Sequence, residues 1–184
     1  DKICVMDSCA MVKWDTPNFF NFTYAQVTAF RSLENLRWIA EGVDGYNNFF
    51  NGFEFDLKKY ISCGFQIFEE SHREFLKELK EFYYENYDGI MDLQNNKVKR
   101  GTDQPVYNYM LQMKNVQVDK KLSPPYMMTH MMRFDWFGRN WQLDDNTPHF
   151  IRYGYVWFYS GFPNRGDRYQ LMEQTWNMVK ENYK

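Results

Sequence analysis

Residues 60–85, YISCGFQIFEESHREFLKELKEFYYE, contain a strand pattern followed directly by a helix pattern. The first part places Ile61 and Phe65 on either side of a Ser-Cys-Gly step, which is typical of a buried strand. In the second part, Ser71 and Glu74 have the spacing of a helix capping box. The apolar stripe that follows consists of Phe75, Leu79, Phe82 and Tyr83. A strand joined to an amphipathic helix predicts a domain of the α/β class.

The remaining segments extend this alternation along the chain. Apolar runs predict strands at residues 3–6, 27–30, 116–118 and 151–159. Capping signals and periodicity predict helices at residues 102–114 and 167–179. Glycine and asparagine interrupt residues 35–60, which are predicted to form one or two helical turns and a long functional loop. We therefore expect a single α/β domain over residues 1–184.

The charge balance argues against a protein that depends on a strongly basic surface. The chain has 22 Lys and Arg residues and 24 Asp and Glu residues, which give a formal net charge of −2. Because nucleic-acid-binding domains concentrate positive charge on one face, we expect no nucleic-acid partner. No apolar run approaches the roughly 18 residues that a membrane span needs, so the sequence predicts no membrane span.

The cysteines and the start of the chain bear on its compartment. Cys4, Cys9 and Cys63 are an odd number and contain no close pair, so they do not form a disulfide framework. This cysteine usage and the lack of a signal-peptide pattern predict a cytoplasmic protein. The chain begins at Asp1, inside a predicted strand and without an initiator Met, so we expect it to be the C-terminal part of something longer.

Asp7 is the first candidate site residue, because it ends the apolar run of residues 3–6. Ligands of open α/β sheets bind beyond the carboxyl ends of the strands. Two carboxylates one residue apart at such a position can bind a divalent cation that in turn holds a diphosphate, but Cys9 takes the second position here. Asp7 is therefore interpreted either as a ligand of this kind or as a residue that caps a turn.

Asp103 and Gln104 are the second candidate pair, at the start of a predicted helix. An Asp at this position often does no more than accept a backbone N–H group. The alternative is that the two side chains face the hydroxyl groups of a sugar, with the carboxylate as a general base for an acceptor hydroxyl.

The third candidate is the loop around Gly161, which ends at Arg165. Gly161 allows the backbone to approach a ligand closely, and a guanidinium can bind two phosphate oxygens at once. The alternative is a surface turn with a solvated arginine.

Taken in order, these segments resemble a known family. Residues 5–18, VMDSCAMVKWDTPN, resemble the metal-binding DxD segment of the glycosyltransferases with a GT-A fold and the stretch after it. Residues 62–68, SCGFQIF, resemble the "NxG" strand of that family, and residues 102–109, TDQPVYNY, its "DQ…N" helix start. Residues 157–163, WFYSGFP, resemble its "WHFxG" segment. The similarity is greatest to glycogenin-like and to bacterial or viral retaining hexosyltransferases.

The resemblance implies a fold and an activity. The fold would be the GT-A fold, a mixed sheet flanked by helices, with its first part preceding Asp1. The activity would be transfer of a hexose from a nucleotide-diphospho-sugar to a hydroxyl of a glycan or protein, with Mn²⁺ or Mg²⁺ on the diphosphate. Carried over by position, the metal ligand is Asp7 and the catalytic residues are Asp103 and Gln104. The residues that bind the donor and cofactor are Asp7, Gly64, Gly161 and Arg165.

Two departures from the family pattern leave other hypotheses open. Cys9 replaces the second DxD carboxylate, and Phe158 replaces the late metal-binding histidine. One alternative is therefore a catalytically degenerate module that keeps the fold for binding or structure. Another is a carbohydrate-stacking surface formed by the aromatic, Asn-rich residues 46–55, in a chain that is 20% aromatic.

Overall fold

The computed structural model of the chain describes residues 1–22, 27–31, 35–98, 103–119, 147–160 and 165–183. The chain divides into two compact units. The first consists of Asp1–Val5 and Phe22–Lys121, and the second of Met6–Asn21 and Leu122–Lys184. Each unit has an apolar core of its own. The expectation of a single domain over residues 1–184 stays a prediction.

The described residues form six strands and six α-helices. The strands are β1 (Lys2–Met6), β2 (Ala10–Val12), β3 (Val27–Arg31), β4 (Ile61–Glu69), β5 (Val118–Asp119) and β6 (Val156–Phe158). The helices are α1 (Leu36–Tyr46), α2 (Arg73–Glu85), α3 (Tyr87–Asp92), α4 (Asp103–Met113), α5 (His149–Tyr153) and α6 (Arg165–Val179). This content confirms the predicted α/β class. None of the helices in the described ranges is long and apolar enough to cross a membrane.

A mixed four-stranded sheet in the order β1-β4-β3-β5 forms the first unit's framework. β3 runs antiparallel to β4 and parallel to β5. β1 lies at the edge of the described sheet, where Ile3 is 60% exposed and Val5 is 47% exposed. The prediction of a strand at residues 3–6 is therefore confirmed. A continuous apolar run such as this one favours a buried strand, but β1 is exposed, because an edge strand has a neighbour on one side only.

The strand and helix predicted from residues 60–85 are both present, as β4 and α2. β4 is buried along most of its length, with Ile61, Phe65 and Ile67 fully enclosed. The predicted Ser71–Glu74 capping box is wrong. A 3₁₀ turn at Glu70–His72 precedes α2, so the capping box lies earlier and pairs Glu69 with His72. The Glu69 N–H group donates to Nδ1 of His72 at 2.9 Å.

The prediction for residues 35–60 is wrong, because this stretch begins with the 11-residue helix α1 and continues with 3₁₀ turns. Asn35 caps α1, and its Oδ1 accepts the N–H group of Arg37 at 2.8 Å. Gly45 lies inside the helix, where a Cβ atom would collide with the side chain of Val98. This glycine therefore serves close packing rather than a loop.

The second unit is formed around a two-stranded sheet and α6. β2 pairs antiparallel with β6, with Ala10 opposite Phe158 and Val12 opposite Val156. Only part of the strand predicted at residues 151–159 is present, because the stretch between Pro148 and Gly154 forms α5. The core of this unit consists of Cys9, Phe150, Ile151, Trp157, Tyr159 and Val179.

Candidate functional site

Asp7 lies in the turn that joins β1 to β2. Its side chain is exposed, and its carbonyl oxygen accepts the N–H group of Ala10 at 3.0 Å. Asp7 therefore directly follows Met6, the last residue of β1, and precedes β2, which is the first strand of the second unit. The turn presents the Asp7 carboxylate to solvent, which both sequence interpretations require.

Cys9 is buried in the core of the second unit, with only 6% of its surface exposed. Its carbonyl oxygen accepts the N–H group of Tyr159 at 2.9 Å, which fixes the turn against β6. Burial raises the pKa of the Cys9 thiol, the charge of Asp7 raises it further, and the charge of Arg168 lowers it. The thiol therefore remains protonated at neutral pH and packs as an apolar group.

Arg168 is a functional candidate that the sequence analysis missed. It lies in the first turn of α6, close enough to Cys9 to act on the pKa of that thiol, as Asp7 does. Its Nε atom is buried and has no hydrogen-bond partner. The cluster of Asp7, Cys9 and Arg168 therefore combines a carboxylate with a guanidinium that retains an unused donor.

Arg165, the residue predicted to contact the diphosphate, is the first residue of α6, whereas the sequence predicts that this helix begins at Asp167. The contact between Arg165 and the diphosphate stays a prediction. Gly161 lies outside the described residues.

The residues at the DxD-like turn do not fit a divalent cation site. Mn²⁺ and Mg²⁺ prefer oxygen ligands, and Asp7 is the one carboxylate that the motif supplies. Cys9 is a buried thiol, and Phe158 is fully buried on β6. Across the described ranges, His, Cys, Asp and Glu side chains form no group of three that could hold a metal ion. The Mn²⁺ or Mg²⁺ cofactor stays a prediction.

Asp103 begins α4 in the first unit. Its side chain is exposed, and its Oδ1 accepts the N–H group of Gln104 at 2.9 Å. Its charge also contributes to the raised pKa of Tyr46, which reaches about 12 chiefly because that phenol is buried and secondarily because of Tyr83. The exposed carboxylate can accept a proton from an incoming hydroxyl group, and its backbone contact fixes the start of the helix.

Gln104 is buried and connects α4 to β4. Its Oε1 accepts the N–H group of Cys63 at 3.1 Å, and its Nε2 contacts the hydroxyl of Tyr60 at 3.2 Å. These contacts occupy both ends of the amide with groups of the protein itself. Gln104 therefore anchors the start of α4, which carries Asp103, to β4. The contact of Gln104 with a sugar hydroxyl stays a prediction.

Gly64 lies in the buried middle of β4, next to the Cys63 amide that Gln104 binds. Its N–H group donates to Oγ of Ser62 at 3.3 Å. The structure thus brings together Gly64, Asp103 and Gln104 in the first unit. It places Asp7 and the backbone of Arg165 in the second unit.

The aromatic stretch at residues 46–55 is largely core. Tyr46 and Phe50 are fully buried, and Phe50 stacks on Tyr109 at 4.1 Å and on Phe82 at 5.0 Å between ring centroids. Tyr46 and Phe50 therefore cannot take part in the carbohydrate-stacking surface that was predicted for residues 46–55. These rings contribute to stability because they bury large apolar areas.

Comparison of the chain with protein families, with curated proteins and with solved structures found no match.

Proposed function

We propose that the protein is a nucleotide-sugar-dependent hexosyltransferase that modifies a hydroxyl group of a glycan or protein, with the GT-A fold. The observation that carries this proposal is the Nε atom of Arg168, which is buried without a hydrogen-bond partner, in the same unit as the exposed carboxylate of Asp7. This unit thereby supplies a carboxylate from the turn after β1 and a guanidinium from α6. This pair offers an acceptor for sugar hydroxyls and a donor for phosphate oxygens.

Arg168 has the role of binding the diphosphate of the donor. Its Nε is buried and unpaired, so this N–H group gains a partner when a phosphate oxygen binds. A guanidinium shielded from water interacts more strongly with charge than one in bulk solvent. As the bond between the sugar carbon and the phosphate oxygen breaks, its electron pair moves to the diphosphate, and Arg168 stabilises that charge.

The resemblance to the family implies that Asp103, in the first unit, is the general base. In that role its carboxylate takes the proton of the acceptor hydroxyl, whose oxygen forms the new bond to the sugar carbon. Gln104 supports this step by fixing the start of α4 through its contacts with Cys63 and Tyr60. A fixed carboxylate loses less conformational freedom in the transition state than a mobile one.

Asp7 has the role of binding the donor beside the diphosphate. Its exposed carboxylate accepts hydrogen bonds from sugar hydroxyls.

A second candidate function is a non-catalytic binding module with the ancestry of a glycosyltransferase. The observation that favours it is the burial of Cys9 and Phe158, which stand where the family pattern has metal ligands. Such a module would bind a nucleotide or a glycan without turnover.

Release of nucleoside diphosphate from UDP- and GDP-hexoses, with and without acceptor sugars, tests the enzymatic proposal. We expect Asp103→Asn to reduce turnover by about a hundredfold or more while the thermal stability is maintained. Asp88→Asn is the matched control, because Asp88 is also an exposed acid in the first turn of a helix in this unit. Failure to turn over any donor, or full activity of Asp103→Asn, would contradict the proposal, and the first result would favour the binding module.

A further inference from the structure

Three aromatic rings of the second unit form a group that is partly open to solvent. The ring of Tyr183 contacts those of Trp14 and Trp176, with centroids 5.9 Å and 5.1 Å away and interplanar angles of 71° and 47°. Trp14 and Tyr183 are each 38% exposed, and Trp176 is 43% exposed. We name these three rings the Trp14–Tyr183–Trp176 platform. They are a candidate ligand site, because exposed clusters of large apolar side chains mark binding sites in many proteins.

The platform is fixed in place by the surrounding structure. The Tyr183 hydroxyl donates to the carbonyl oxygen of Val12 at 2.6 Å, which anchors the central ring to β2. The segment that carries Trp14 is anchored by Thr16, whose Oγ1 donates to the carbonyl oxygen of Lys13 at 2.7 Å and to that of Tyr155 at 3.0 Å. Rings that are already ordered lose little conformational entropy when a ligand binds.

The ammonium group of Lys13 lies over the Trp14 ring, 5.0 Å from its centroid, and its charge is balanced by Asp15 at 3.2 Å. Lys180 carries a second ammonium group, which donates to the side-chain amide of Asn177, and the carbonyl oxygen of Lys180 accepts the N–H group of Tyr183. The choice between a neutral sugar and a phosphate-bearing ligand therefore depends on the lining of the adjoining cavity.

The cavity beside Trp14 is lined by neutral groups. In contrast, a cavity of about 490 Å³ in the first unit has the acidic residues Glu85 and Asp88 in its lining. The cavity beside Trp14 has a volume of about 390 Å³, and its polar lining comes from Thr147 and Asn182. The Nδ2 atom of Asn182 donates to the carbonyl oxygen of Val179 at 3.1 Å, which leaves its Oδ1 as an acceptor. A cavity of this size can accept a small ligand through a few placed polar groups.

We propose that the Trp14–Tyr183–Trp176 platform and the adjoining cavity bind a neutral saccharide. The faces of the aromatic rings carry negative charge density and attract the C–H groups of a pyranose ring. The hydroxyl groups of the same sugar hydrogen-bond to Asn182 and Thr147. This binding does not depend on transferase activity, so the platform can retain a glycan whether or not the chain turns over a donor.

Titration of the intact chain with maltohexaose, cellohexaose, mannohexaose and chitohexaose tests the proposal. We expect at least one of these neutral hexasaccharides to bind and to protect tryptophan fluorescence from quenching by acrylamide. Trp14→Ala and Trp176→Ala should each weaken binding by about three- to tenfold, and the double variant should weaken it further. Tyr169→Ala is the matched control, because Tyr169 is an exposed ring on the same helix that belongs to no described ring contact and is 68% exposed.

Several results would overturn the proposal. These are the absence of binding to all four saccharides, full binding by the double variant, and equal losses in Tyr169→Ala. Tighter binding of UDP than of any saccharide at the platform, with loss in the double variant, would assign it to a nucleotide instead. Thermal unfolding of each variant shows whether it is folded, and the acrylamide protection of the unmodified chain gives a readout that needs no substitution.

Discussion

Asn108 forms two reciprocal hydrogen bonds with Ile61. Its Oδ1 accepts the N–H group of Ile61 at 2.8 Å, and its Nδ2 donates to the carbonyl oxygen of Ile61 at 2.9 Å. The side-chain amide thus replaces the partner that a neighbouring strand would offer to the start of β4. The same Nδ2 also donates to the carbonyl oxygen of Gln104 at 2.9 Å, which ties the first turn of α4 to this contact.

Replacing Asn108 should destabilise the first unit strongly. We expect Asn108→Ala to lower the free energy of unfolding by about 2–4 kcal/mol, because it leaves a buried N–H group and a buried carbonyl without partners. Urea denaturation measures this loss. Gln112→Ala is the control, since Gln112 forms the equivalent pair of bonds with the backbone of Asp56 at a half-buried position. A loss for Asn108→Ala no larger than for Gln112→Ala would contradict the structural role assigned here.

His72 should make stability fall on acidification. Its Nδ1 accepts the N–H group of Glu69, and burial lowers the pKa of His72 below its ordinary 6.5, against an opposing effect of Glu69. Below about pH 6.5 the unfolded chain therefore binds the proton more readily than the folded chain, so this contribution to stability is present above that pH and is lost below it.

Thermal unfolding at about pH 7 and about pH 5 measures this effect. His72→Asn retains an acceptor for the Glu69 N–H group but does not titrate, so its melting temperature should decline less between the two pH values. Equal declines in the variant and the unmodified chain would show that His72 does not contribute.

Introducing a carboxylate at position 9 should destabilise the second unit. We expect Cys9→Asp to cost about 2–5 kcal/mol at neutral pH, because the charge would be buried in an apolar cluster beside Asp7, with Arg168 offsetting only part of the cost. Cys9→Asn has a similar size without the charge. The stabilities of the two variants should converge as the pH falls, since burial favours the protonated carboxyl. If Cys9→Asp were as stable as Cys9→Asn at pH 7 and bound Mn²⁺, Cys9 would instead occupy a usable metal position.

The parts of the fold that depend on local pattern could be predicted from the sequence. Alternation and an apolar stripe within residues 60–85 predicted β4 and α2 correctly. The errors arose where distant contacts decide the structure. Gly45 lies inside a helix, where a Cβ atom would collide with Val98, and β1 is exposed because it lies at an edge of the described sheet. Neither contact can be inferred from neighbouring residues in the sequence.

The same distinction applies to the candidate site. Asp7 was predicted to lie at a strand end because an apolar run stops there, and the structure places it there. Arg168 was missed because its relation to Cys9 depends on where α6 begins and packs. The anchoring role of Gln104 depends on β4, which lies about forty residues earlier in the chain. Residue type and position in the sequence indicated which side chains could bind a ligand. Only the tertiary contacts show which of them are buried and bonded within the protein, as Cys9 and Gln104 are.

Thermal unfolding with UDP, GDP and their hexose conjugates, each with and without Mn²⁺, tests the donor-binding role of Arg168 most directly. A ligand at about a hundred times its Kd stabilises the folded chain by about 2.7 kcal/mol, which is readily detected. Arg168→Met is compared with the unmodified chain and with Arg152→Met, which replaces an exposed arginine of the same unit. We expect at least one nucleotide to raise the melting temperature without Mn²⁺, Arg168→Met to abolish the rise, and Arg152→Met to retain it. No rise with any nucleotide, or a rise that survives Arg168→Met, would contradict this role of Arg168.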